Sequence, residues 1–513
     1  MDYDLILKNG NIITMNSQSE GCNWIAVKEG KIVGLGCGQP IANNTEKTID
    51  LEGKTVLPGL FDCHVHILSA GMYLSSVNMA GARNMKQVLD LIESECLARK
   101  DDSWVFCVDY LDQFIGEHRY PTRWELDKIS HGHKVLIFSA TMHCCAVNTD
   151  ALPFCNVPED YPGVLKKNGV ITGLFYSDES AILASSNVLG SLPEETLWKF
   201  ISDCGKQAVS NGVTGIHALV GGLVGEDKDL HVLLKRSQEM SVKIIPYYQT
   251  WDVEKAIELG LPRVGGCLTL DGAAFEHTMA NYEPYFDAPA LRGVLYHTDQ
   301  EVYQFVSEAH KSDIQCTMHA VGERAIDQLL WTYHRVFAEQ GTKDLRHRLE
   351  HFCLPTESQI KMAVDLGIIL SMQPGFTYLW DSTENSPFAA VLGRERADRL
   401  DPFHKVIDAG GILCGGSDSP VSKIEPLVHI AHCVNGSNPV RNISLTNALK
   451  LYTINAAYAC NQEKTKGSIE IGKDADFTII NKNPYDHVGK PSIFEMETEY
   501  TIIEGKIVYQ KLV

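Results

Sequence analysis

The chain lacks an excess of positive charge. Its 45 lysines and arginines are outnumbered by 65 aspartates and glutamates, for a net charge of −20. That balance argues against nucleic acid and against anionic membrane surfaces, both of which are held by basic patches. No apolar run of about 18 residues occurs, so no membrane-spanning helix is expected. The opening MDYDLILKNGNIITMN carries acids where a secretion signal carries lysine or arginine, and its apolar part is too short for one. The 15 cysteines include no Cys-x-x-Cys pair, and Cys144 and Cys145 are adjacent. Without a secretion signal they read as reduced, mostly buried thiols rather than a disulfide framework, and the expected compartment is the cytoplasm. Internal repeats and low-complexity tracts are also absent.

What remains is an ordinary globular composition, 44% hydrophobic and 21% charged, in 513 residues. That length exceeds one simple core and predicts a large domain with satellites. Residues 1–55 read as short strands and turns, with Asn9-Gly10 and Glu29-Gly30 suited to tight hairpins. Residues 465–513 have the same texture, which predicts that both termini meet in one small β-sandwich domain. Between them, residues 56–464 alternate apolar strands with helical segments such as 300–311 and 356–367, the pattern of a parallel α/β architecture. Ten strand candidates arise where an eight-stranded (β/α)₈ barrel needs eight. The two extra ones, 104–110 and 134–140, are assigned to an insertion of about 69–190 after the first barrel strand.

The stretch GLFDCHVHILSAG, residues 59–71, ends a buried-looking strand in Asp62, His64 and His66. Alternation on a strand points all three one way, and two imidazoles two residues apart can converge on one metal ion. A half-exposed polar face would look the same, so the rest of the chain decides. His319 ends IQCTMH, His351 ends RLEH, and Asp418 ends ILCGGSD before Ser419-Pro420. Four histidines and an aspartate therefore stand at strand C-terminal ends, where a barrel places its chemistry. A carboxylate ending an apolar strand needs a partner, and a divalent metal with histidines supplies one.

PGLFDCHVH, MHAVGERAID, LEHF and GSDSP together resemble the amidohydrolase superfamily. The similarity is to its YtcJ-like branch, amidohydrolase family 3, which includes N-substituted formamide deformylases and exoenzyme-regulator-like proteins. It extends over nearly the whole chain, through HCCAVNTDAL to the terminal GKDADFTII. The resemblance implies that His64, His66 and Asp418 bind the more buried ion. His319 and His351 then bind a second, or one of them serves a mononuclear site. One or two divalent ions are expected, zinc being the first choice. The branch carries a lysine in K-x-x-x-D-G on the fourth strand, where this chain has Cys267 in CLTLDG. Cysteine cannot be carboxylated to bridge two ions, yet its thiolate is a good zinc ligand and can bridge; a small buried residue beside a one-metal site is the other reading.

The implied reaction is hydrolysis of an amide-type C–N bond in a small molecule by a metal-activated water, with Asp418 as general base and then acid. Substrate contacts are assigned to His143, to His217 at the end of GVTGIHA, and to Trp380, with Phe376 and Tyr378 in the same PGFTYLW segment. Glu350 precedes His351, and alternation sends it to the opposite face in a supporting role. Two rival readings stand. One is a mononuclear deaminase of an aminated ring, with Glu323 as proton shuttle. The other is a non-catalytic, ligand-binding regulator on the same scaffold, for which an intact set of five residues has no use. The expected partner is a small-molecule substrate, with neither nucleic acid nor membrane; a homodimer is left open.

Overall fold

Eight parallel strands pair in sequence order around an almost closed barrel: β1 (Leu60–His66), β2 (Val213–Val220), β3 (Lys243–Tyr248), β4 (Arg263–Thr269), β5 (Gln315–Ala320), β6 (Arg348–His351), β7 (Ile369–Met372) and β8 (Leu413–Gly415). The computed structural model describes residues 2–16, 21–40, 44–100, 103–140, 144–222, 224–380 and 386–512. The barrel lies in the first of two compact units, Met1–His66 with Gly205–Leu219 and Ser237–Val513. Its strands are covered on both faces, so their sequences run apolar without a polar alternation; every residue of β2, VTGIHALV, is buried. Helices return the chain between strands, and two of them start on reciprocal side-chain caps. Thr298 with Glu301 and Thr356 with Gln359 form capping boxes at the helices Asp299–Lys311 and Glu357–Asp365.

Two departures from a regular barrel position the site. In β4, Gly265 and Gly266 have φ of +99° and +104°, and a Cβ on Gly265 would meet the Thr317 carbonyl oxygen at 1.9 Å. Only glycine permits that conformation and approach. Between Gly265 and Thr269 the pairing slips, four residues of β4 spanning two of β5, and the bulge carries Cys267. The second departure is at the seam. β1 and β8 share no ladder; an isolated bridge joins Val65 to Ser419, with His66 N–H donating to Ser419 O (3.0 Å) and Asp418 N–H to His64 O (2.8 Å).

Both termini contribute to two further sheets of this unit. One contains Asp2–Lys8, Trp24–Lys28, Lys31–Gly36 and Asn44–Asp50; the other contains Asn11–Ile12, Thr55–Pro58, Phe477–Ile480, Thr498–Ile503 and Lys506–Gln510. They enclose a shared core with Leu5, Leu7, Ile25, Val27, Phe477, Ile479 and Ile502. Glu29-Gly30 makes the expected tight hairpin, both residues at positive φ. Asn9-Gly10 does not. The strands flanking it belong to different sheets, so it is a corner.

The second unit, Ile67–Cys204 with Val220–Arg236, holds a six-stranded sheet. Its order is Val164–Lys167, Val170–Phe175, Cys145–Val147, Lys134–Ser139, Trp104–Tyr110 and Val77–Asn78. The two surplus strand candidates lie here, and their Val105, Val135 and Ile137 share a core with Val88 and Ile92. Among the described residues no helix is long and apolar enough to cross a membrane. None of the fifteen cysteines forms a disulfide, and all but Cys22, Cys37, Cys144 and Cys267 are buried.

Candidate metal centre

At the C-terminal end of β1 the two histidines turn toward the segment after β8. Asp418 has a left-handed φ of +56°, which swings its carboxylate back over the barrel mouth. Its Oδ1 lies 3.2 Å from His64 Nε2 and 3.3 Å from His66 Nε2. Asp418 Oδ1 and His64 Nε2 are buried, yet neither has a hydrogen-bond partner. The turn can approach so closely because residue 416 is glycine; a Cβ there would sit 2.7 Å from the nitrogen and Cβ of His64. Asp62 takes a different part. Its Oδ1 accepts from the backbone N–H of His64 (3.2 Å) and Ser417 (2.8 Å), tying β1 to the β8 turn, and burial pushes its carboxyl up to about 6.

A second cluster adjoins the first through His64. Ligand atoms of His64, Cys267 and His351 lie within 4.8 Å of one another, as do those of His64, His66 and Asp418. Cys267 Sγ is 3.6 Å from His319 Nδ1 and 3.9 Å from His351 Nε2. The structure thus brings together His64, His66, His319, His351, Asp418 and Cys267. His351 reaches the centre although Glu350, beside it, also faces the interior. His351 has φ +76° and Phe352 +50°, so the strand has ended and the alternation that would separate neighbours no longer applies.

Two of the ring nitrogens facing away from the centre, on His64 and His351, are hydrogen-bonded from outside. His64 Nδ1 is 2.7 Å from Glu350 Oε2, and His351 Nδ1 is 2.8 Å from Gln373 Oε1. His319 Nε2 faces Asp271 Oδ1 at 3.6 Å; that carboxylate is fixed by the backbone N–H groups of Val321, Gly322 and Ala280. An imidazole held by an oxygen at one nitrogen presents a bare lone pair at the other, which is how metal-ligating histidines are oriented. Asp271 and Gln373 were not singled out from the sequence. Asp271 is the aspartate of the K-x-x-x-D-G pattern, and Gln373 follows a strand end, so position marked both.

The charges here call for a cation. Burial would raise the Cys267 thiol, but His319, His351 and His64 outweigh it and hold Cys267 well below the usual thiol range. Burial would likewise raise Asp418, and His64 and His66 keep it well below the carboxylate range. Conversely, burial lowers His66, but Asp418 and Cys267 raise it to about 9. Two anions are balanced only by protons taken up on imidazoles. A divalent ion meets the same demand with the donor set of a zinc site, so the residues present fit one.

The residues assigned to substrate fall into three groups. His143 lies outside the described residues, as does the side chain of Tyr378. His217 is fully buried, and its Nδ1 accepts from Arg348 Nη1 at 2.8 Å; it belongs to a polar layer of the barrel interior. Trp380 closes the helix Pro374–Trp380 and continues an aromatic row from the centre. Phe376 stacks near His351 (6.1 Å, 10°), and Trp380 lies 5.0 Å from Phe376 and 5.7 Å from Phe275. Glu323 is engaged elsewhere, by Arg399 (3.1 Å) and the Tyr282 N–H (3.1 Å).

Comparison with known proteins agrees in kind. The amidohydrolase family model matches residues 47–509. YtcJ of Bacillus subtilis is 27% identical, the alignment covering 99% of each chain. An N-substituted formamide deformylase of Arthrobacter pascens is 24% identical over 99% of this chain and 98% of its own. Among solved structures, an uncharacterised metal-dependent hydrolase from Pyrococcus furiosus superposes with a TM-score of 0.77 at 23% identity, covering 94% of this chain and 99% of that one. This last likeness is one of fold.

Proposed function

The chain belongs to the amidohydrolase family, and from that premise we propose that it is a metal-dependent hydrolase acting on an amide-type C–N bond of a small molecule. The observation that carries this reading is the convergence of His64, His66, His319, His351, Cys267 and Asp418 on one barrel mouth, with the outer ring nitrogens of His64 and His351 anchored by Glu350 and Gln373. His64, His66 and Asp418 would hold one ion, and His319 and His351 a second, with Cys267 between the clusters. Such an ion supplies Lewis acidity, which activates water and polarises a carbonyl. Asp418 is ionised at neutral pH, so its carboxylate takes the proton of the attacking water and delivers it to the leaving nitrogen. The aromatic row of Phe376, Trp380 and Phe275 lies beside His351 and offers an apolar group of the substrate a wall. The formamide deformylase relative supports the choice of C–N bond.

Neither rival gains from the structure. A deaminase would need Glu323 free to shuttle protons, and Glu323 is paired with Arg399. A pure binder has no use for a complete, anchored ligand set. The test is elemental analysis of gently purified protein with a screen of N-acyl and N-formyl amines. About one to two metal equivalents and hydrolysis lost on chelation are expected; full turnover by metal-free protein would overturn the reading.

A further inference from the structure

Beneath the candidate metal centre, the barrel interior holds an ion pair where such barrels usually stack valine, isoleucine and leucine. Arg348 and Glu350, two residues apart on β6, are both fully buried. All five N–H groups of Arg348 have acceptors. Nε donates to Glu350 Oε1 (3.0 Å); Nη1 to His217 Nδ1 and Tyr247 Oη (2.8 Å each); Nη2 to Glu350 Oε2 (2.9 Å) and Cys63 O (3.0 Å). Glu350 is equally saturated, Oε1 also accepting from Thr317 Oγ1 (2.5 Å) and Oε2 facing His64 Nδ1 (2.7 Å). Residues of β1, β2, β3, β5 and β6 thus share one polar layer.

Stability is a poor reason for that layer, because a buried ion pair is often no better than an apolar pair of the same volume. Its asymmetry suggests another. Every contact of the Glu350 carboxylate but one is with a group that can only donate there, so the carboxylate acts purely as acceptor. The ring nitrogen of His64 facing it must then carry the hydrogen. We propose that Arg348 and Glu350 are positioning residues: they fix the His64 tautomer, so that Nε2, the nitrogen facing Asp418, is the one with a free lone pair. This rests on the metal reading of the centre and adds that ligand strength at His64 is set from below, through a pair that touches no ion.

The experiment titrates metal-free protein with cobalt(II) against a chromophoric chelator and records the visible band of the loaded protein, with the unfolding midpoint of the metal-free form measured separately. Glu350→Gln keeps the volume but puts donors against Arg348 and His64. Its cobalt affinity is expected to fall about 10–100-fold with an altered visible band, as for other outer partners of metal-bound histidines. A merely structural layer would lower the unfolding midpoint and leave affinity and band in place, and an affinity within twofold of wild type overturns the proposal. If Glu350→Gln does not fold, Thr317→Val decides, since it removes one donor at constant volume: about threefold weaker binding supports the proposal, unchanged binding overturns it. Wild-type protein that takes up no cobalt would instead defeat the metal reading, so the two failures are distinct.

Discussion

The sulfur of Cys267 stands 3.6 Å from Nδ1 of His319, on a bulge that two positive-φ glycines make possible. If the thiolate bridges two ions, Cys267→Ala lowers metal content from about two equivalents to about one, because the second ion then rests on His319 and His351 alone. Cys267→Ser is nearly as damaging, a hydroxyl being a poor anionic bridge near neutral pH. Stoichiometry by elemental analysis of wild type and both variants is the check. Equal content in all three would mean that Cys267 only packs.

Asp418→Asn preserves shape and one ligand oxygen while removing the base. Metal content is expected to survive largely, and turnover to fall by about 10² or more. Metal analysis beside kcat on the same preparation separates the two roles; a loss of metal that accounts for the whole loss of rate would reduce Asp418 to a ligand.

Gly416→Ala tests the close approach of the β8 turn to β1. The new Cβ would meet backbone of His64 at 2.7 Å, which cannot swing aside. A stability loss of about 1–3 kcal/mol is expected, along with weaker metal retention, since His64 and Asp418 are pushed apart. Thermal unfolding with and without added zinc measures both. An unchanged melting point would show that the turn has slack.

Acid stability should follow His347, which is buried beside His310, Tyr333 and Phe337. Its Nδ1 accepts from the Cys316 N–H (3.0 Å), so its Nε2 donates to His310 Nδ1 (2.9 Å), and His310 Nε2 donates to Gly341 O (3.0 Å). An added proton would have to go on His347 Nδ1, where it meets the Cys316 N–H, or on His310 Nδ1, where it meets the Nε2–H of His347. Burial first, then His310, lowers His347 to about 3, against about 6.5 unfolded. The unfolded chain therefore binds the extra proton as pH drops below about 6.5, and His347 by itself contributes a fall in stability of about 1.4 kcal/mol per pH unit until about pH 3. The difference in slope between wild type and a His347 variant, by urea unfolding from pH 7 to 4, should show this contribution. His347→Asn should be less stable at pH 7 but flatter in acid, and an equal slope in both proteins would assign the acid sensitivity elsewhere.

What could be read from the sequence is what depends on period and position. His64, His66, His319, His351 and Asp418 announce themselves because apolar strands end in them, and an eight-stranded barrel with surplus strands elsewhere follows from counting. What could not be read depends on backbone conformation. Alternation separates Glu350 from His351, but a left-handed φ at His351 brings both inside. The pair Gly265-Gly266 signals a close approach without saying that a bulge would present Cys267. Asn9-Gly10 has hairpin chemistry, yet its flanking strands pair with different partners, Asn11–Ile12 with Thr55–Pro58, and pairing at long range leaves no local mark.

The seam between β1 and β8 gives the barrel one weak hoop. A sheet laddered all round opens only as a whole, whereas here the closing amides are those of His66 and Asp418, two residues of the candidate metal centre. Momentary parting of the ring and momentary loss of the reactive arrangement are therefore a single event. The lifetime of the assembled centre can be clocked by how fast those two amides trade their hydrogens for solvent deuterium, while the amides of the terminal sandwich clock the lifetime of the fold.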